Sequence, residues 1–188
     1  YIVILSSFIN SSFSKDPSEF ISEVTQSASN ILKENISLDE KAEKLIVIAE
    51  SSVDIDGIGL YSLGKHRKTL NKEDLEKYKS IFRKYFLKSF SSRLSQYSDP
   101  KINVVSQNVI NEKYTIVSSI LVETSERPEI KIDWRVYTID PSKPLIRDLI
   151  IEGLSLARTQ KEEFNSVIQG ADGDVNALFS NLQNFNLK

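Results

Sequence analysis

Asp148, Glu152 and Ser155 are the residues of this chain whose types and spacing come nearest to a reactive constellation. Asp148 and Glu152 are an even number of residues apart at the end of an apolar run. A strand there would turn both carboxylates to one side, the arrangement a general acid and base require. Ser155 follows in Glu152-Gly153-Leu154-Ser155-Leu156, between a strand pattern and a helical one, where some hydrolases carry a nucleophile. Asp54 and Asp56 form a second acidic pair, two residues apart at the head of a helical pattern.

Each of these has a plainer reading. Acids at a helix start complement the positive end of the helix dipole, which accounts for Asp54 and Asp56. The serine segment is not G-x-S-x-G, so Ser155 reads as a helix N-cap, with Asp148 and Glu152 as salt-bridging or loop-anchoring groups. A serine nucleophile also needs a base. The single histidine, His66, lies among Lys65, Arg67 and Lys68 and reads as an exposed loop residue. Gly57-Ile58-Gly59 lacks the preceding strand that a dinucleotide site requires. Zero cysteines exclude disulfides, thiolate metal sites and cysteine nucleophiles together. The chain is therefore expected to be non-enzymatic, with no metal or cofactor.

The 24 basic and 26 acidic residues are dispersed, so no stretch is basic enough to track a nucleic-acid backbone. A length of 188 residues suits one domain with a sizeable core. The opening run from Tyr1 to Asn10 is apolar, and small residues alternate through Ser14. It reads as the remnant (1–14) of an export signal ahead of a single domain at 15–188, and it is too short to span a bilayer.

The elements that must position these residues fall into three blocks. Asp16-Pro17 opens a helix over 17–34 with Phe20, Ile21, Val24, Ala28, Ile31 and Leu32 at helical spacing. Ser37-Leu38-Asp39-Glu40 is a capping-box pattern for a second helix, and a short third runs from Asp54 to a C-cap at Gly64. Asn71 starts the longest helix, reaching about Tyr97, with Leu75, Tyr78, Phe82, Tyr85, Phe86, Phe90 and Leu94 along one stripe. The period then becomes two. Strands are expected at 102–106, 114–123, 130–137 and 145–151, joined by hairpin connections at 107–112, 124–129 and 140–144. Helical patterns return at 155–168 and 174–184. The fold class is α+β, a four-stranded antiparallel meander between helices.

Three segments resemble the MlaC family, periplasmic phospholipid-binding proteins of the toluene-tolerance group. They are Val53-Asp54-Ile55-Asp56-Gly57-Ile58 through Leu63-Gly64-Lys65, Tyr78 through Arg93-Leu94 to Tyr97-Ser98, and Arg147-Asp148-Leu149-Ile150-Ile151-Glu152-Gly153-Leu154-Ser155-Leu156 with Glu163-Phe164. The last is similar to the family's "yDv-x-v-E-G-v-S-l" and is the most specific. Gln160-Lys161 stands where the family usually has Tyr-Arg, and Trp134 lies earlier than the tryptophan often found in the last strand.

The resemblance implies a curved antiparallel sheet, NTF2-like, wrapped by helices around an internal hydrophobic cavity that holds acyl chains. It implies a periplasmic shuttle carrying phospholipid as cargo between an outer-membrane lipoprotein–porin complex and an inner-membrane MCE-type ABC transporter. By alternation, the expected cavity residues on the sheet are Val104, Ile116, Ile120, Ile132, Trp134, Val136, Leu149 and Ile151. Phe82, Phe86 and Phe90 are expected to join them from the long helix. The rival reading is a solid NTF2-like interaction module without lipid. A shuttle docking at two membranes is expected to be a monomer.

Overall fold

A computed structural model describes residues 14–187; the segment expected to be the export remnant lies almost wholly outside the described residues. Helix α1 (Pro17–Lys33) begins where Asp16 accepts hydrogen bonds from the Ser18 and Glu19 amides, with proline at the first turn. Helix α2 (Leu38–Ser52) carries the full capping box between Ser37 and Glu40. Helix α3 (Ile55–Leu63) is capped by Asp54, whose side chain accepts from the Gly57 amide. It ends at Gly64, whose φ of +58° is a conformation that glycine tolerates best. A 3-10 turn (Gly64–Lys68) leads to α4 (Lys72–Leu94), capped by Asn71.

Strands β1 (Ile102–Asn111), β2 (Tyr114–Leu121), β3 (Ile130–Tyr137), β4 (Leu145–Ile151) and the two-residue β5 (Leu154–Ser155) pair in sequence order, every pair antiparallel. The meander thus has one strand more than expected. Strand β1 is also longer, because 107–111 are strand rather than loop. Asn111 makes that possible: its side-chain oxygen accepts the Lys113 and Tyr114 amides and tightens the β1–β2 turn. Helices α5 (Leu156–Gln169) and α6 (Val175–Leu187) complete the chain.

Two apolar clusters result. The first lies between α1 and one face of the sheet, built from Phe20, Ile21, Val117, Leu121, Ile132, Trp134, Val136 and Ile146. The second is helical and joins α3 to α6 through Ile55, Leu63, Tyr78, Phe82, Phe164, Ile168, Leu178 and Phe179. Val53 packs against both. Within the helical cluster Tyr78 donates to the Gly59 carbonyl at 2.8 Å, and burial pushes its phenol far above the ordinary range, so it stays a donor. Helix α4 approaches α3 closely there: a Cβ on Gly59 would lie 2.6 Å from the Phe82 ring.

Asp16 fastens α1 to the sheet as well as capping it, because its second oxygen accepts from the Gln107 side chain at 2.8 Å. That bond, helped by the Glu19 amide, holds its carboxyl below the ordinary value. Asp16→Ala is expected to lower stability by about 1 kcal/mol in urea melts at neutral pH. The sign follows from the lowered folded-state pKa. The stabilisation is complete above the ordinary carboxylate value of about 4 and fades as pH falls through the lower folded value, so the two proteins should converge there.

Candidate functional site

The segment Arg147–Leu156 is folding punctuation. The β4–β5 hairpin turns on Glu152 and Gly153, both with positive φ (+48° and +83°), the backbone sign that a two-residue type I′ turn demands. No atom lies within 4 Å of a Cβ placed on Gly153, so conformation rather than space selects glycine there. Glu152 clamps the turn by accepting the Lys131 amide at 2.5 Å. Ser155 caps α5, accepting the Arg158 amide at 3.0 Å and donating to Asp148 at 2.5 Å. Asp148 also accepts the Ala157 amide, so the buried carboxylate is spent on a helix start. The even spacing of Asp148 and Glu152 does not produce a pair, since Glu152 has left the strand for the turn.

The other acidic pair is equally structural. Asp56 bonds Arg83 of α4, and Asp54 takes the Arg147 Nε at 2.5 Å. Arg147 also donates to the Tyr114 hydroxyl at 2.8 Å and stacks its guanidinium 3.6 Å from the Tyr137 ring centroid. Burial works against that charge, but the bonds to Tyr114 and Asp54 outweigh it and hold the guanidinium pKa above its ordinary value. His66 departs from the expected exposed loop position. It is buried, with Nε2 3.2 Å from the Asn165 Oδ1 of α5, because the 3-10 turn folds it inward while its cationic neighbours face solvent. Among the described residues no group of three His, Cys, Asp or Glu side chains is placed to hold a metal ion. No described helix is long and apolar enough to cross a membrane.

The expected cavity residues divide four ways. Ile132, Trp134 and Val136 share the face that meets α1, and the register puts Leu149 opposite Trp134 and Ile151 opposite Ile132 on that same face. Val104 joins them as a half-buried neighbour of the cluster. Ile116 and Ile120 are a correction: they alternate with the buried Thr115, Val117, Ser119 and Leu121 and therefore lie on the opposite face. Both faces of β2 are apolar, so its parity is illegible until pairing with β3 sets it. Val117 and Leu121 are the β2 residues that pack in the cluster under α1. The polar Ser119 is accommodated inside because Trp134 Nε1 donates to its hydroxyl at 2.8 Å while it donates to the Ile132 carbonyl.

On α4, Phe82 is filled core, 1% exposed and surrounded by the rings of Tyr78, Tyr85, Phe86 and Phe164. Phe86 and Phe90 are only half-buried, stacked on each other at 5.9 Å with their planes 5° apart. Phe90 and Ile151 belong to neither cluster. Large apolar groups that are withdrawn from water yet packed on neither core leave contact area available to an apolar ligand.

The polar motifs of this α+β domain serve turns, caps and ion pairs, and half-buried apolar side chains remain on its sheet and long helix. The chain belongs to the MlaC protein family, whose model matches residues 22–184. Its fold is similar to that of a phospholipid-binding protein from Ralstonia solanacearum solved in complex with a phospholipid. The two are 17% identical with a TM-score of 0.76, and the likeness covers 92% of this chain and 98% of that one. No curated protein matches the sequence.

Replacing Arg147 by alanine removes two hydrogen bonds and leaves the Asp54 carboxylate, which is only 18% exposed, without its cation. A loss of about 1–3 kcal/mol is expected, and a double-mutant cycle with Asp54→Asn should show coupling well above that of an exposed pair.

Proposed function

We propose that this protein is a periplasmic carrier that holds the acyl chains of a phospholipid against the half-buried apolar surface of α4 and the sheet. Membership of the MlaC family carries the reading. The likeness to a protein solved with a phospholipid supports it. The shuttle then runs between an outer-membrane lipoprotein–porin complex and an inner-membrane MCE-type ABC transporter, and no chemical step is required of the protein.

The physics of transfer favours such a carrier. Two acyl chains present on the order of 30 methylenes, each about 0.8 kcal/mol to expose to water, so bare transfer is opposed by more than ~20 kcal/mol. A protein must replace the bilayer's apolar surroundings to make release practicable. Phe86, Phe90, Leu149 and Ile151 are the proposed walls, with Ile132 and Trp134 behind them. Apolar walls discriminate poorly among headgroups, so specificity should be loose. Ile116 and Ile120 are left out because they lie on the other face of the sheet.

Native mass spectrometry of protein purified without detergent should reveal a stoichiometric adduct of phospholipid mass. A bare protein that also takes nothing from labelled vesicles would sink the reading and favour a lipid-free interaction module. The single tryptophan gives a second test. Phospholipid with brominated acyl chains should quench Trp134 emission, whereas aqueous iodide should quench little, because Trp134 is 8% exposed and faces inward. Filling the space should also separate hollow from solid: Phe90→Trp with Ile151→Trp is expected to cut bound phospholipid at least tenfold while preserving the melting temperature of the delipidated protein. A solid core would instead be destabilised by about 1–3 kcal/mol through overpacking.

A further inference from the structure

We propose a second ligand site, between the 3-10 turn and α5, that takes a phosphate-bearing anion. A pocket of about 330 Å³ lies there, lined by Leu63, Gly64, Lys65 and His66 on one wall and by Lys161, Glu162 and Asn165 on the other. It shares no residue with the proposed acyl-chain walls.

The pocket carries more basic than acidic side chains in a chain whose net charge is −2. Lys65 and Lys161 stand on its walls against one acid, Glu162. Among the described residues neither pocket lysine has a carboxylate oxygen within 4.0 Å. The stem of Lys161 crosses Gly64, with Cε 3.1 Å from where a Cβ would sit, and its ammonium lies 5.2 Å from the Tyr61 ring centroid. A side chain at Gly64 would crowd that lysine stem and would be strained by the positive φ. His66 is fixed in the wall by its contact with Asn165, which occupies Nε2 and leaves Nδ1 without a bond among the described residues. A largely apolar concavity that carries two lysines against one acid gives their charge little screening, and a compact, multiply charged oxyanion is the chemistry that answers it. A phosphate ester from a lipid headgroup and a free phosphate present that same group.

The site stands on this geometry and not on the acyl-chain reading, so its test begins without lipid. His66 is the only histidine, and its ring protons give one resolved NMR reporter. Inorganic phosphate, and separately glycerol phosphate, should shift it saturably against a chloride control of equal ionic strength. Lys65→Gln combined with Lys161→Gln, which keeps most of each stem, should weaken that binding at least tenfold with an unchanged melting temperature. Saturation by the soluble phosphates identifies a free phosphate site. A shift seen only with phosphatidylglycerol vesicles, and lost in the lysine variant while Trp134 quenching by brominated lipid persists, identifies a headgroup site. A response no larger than chloride's for both soluble anions and vesicles, or one unchanged in the lysine variant, overturns the proposal whatever the lipid experiments return.

Discussion

The junction at Asp54 and Arg147 is the interaction on which the arrangement of this molecule depends. Val53 bridges Ile146 in parallel, and the Asp54 amide donates to the Ile146 carbonyl at 3.0 Å, so the chain entering α3 extends the edge of the sheet. One Asp54 oxygen caps α3 and the other receives Arg147. Arg147 is itself held by the two tyrosines that pair across β2 and β3. A helix start, a strand edge and a strand pair are thereby tied through one carboxylate. Partial burial makes the tie stronger than a surface ion pair, since solvent screens it less.

That tie sets how the two apolar clusters meet. Each is closed on itself, the sheet cluster under α1 and the helical one among α3 to α6, with Val53 beside the junction touching both. A chain that merged them would gain packing contacts and lose the half-buried surface represented by Phe90 and Ile151, which pack on neither. Leaving such surface unpacked costs stability, and a ligand that covers it returns stability in proportion to its occupancy. In the proposed carrier, cargo binding and folding are therefore linked, and an empty protein is the less stable form.

The polar motifs illustrate why signature residues need not be reactive ones. Glu152, Gly153, Ser155 and Asp148 are consumed within ten residues by a tight turn, a cap and a buried anchor. They bring α5 back against β4 and so place Phe164 and Ile168 in the helical cluster. A family can keep such a segment for geometry alone. Conversely His66, which reads as a loop residue among cations, is buried in a pocket wall beside Leu63.

Local chemistry determined much of this protein directly from its sequence. Asp16 before Pro17, the Ser37–Glu40 box, Asn71 and Ser155 cap the helices they precede, because a cap needs only neighbours three residues away. Alternation over 130–137 gave the inward face of β3 correctly, since only one of its faces is apolar. Contacts distant in sequence were decided by tertiary structure alone. The parity of β2 depended on its register with β3, and the solidity of Phe82 depended on α3 approaching through Gly59. Whether Phe82, Phe86 and Phe90 were core or exposed wall could not be read from their common helical stripe. Periodicity fixes which way a side chain points, and only packing fixes what, if anything, meets it there.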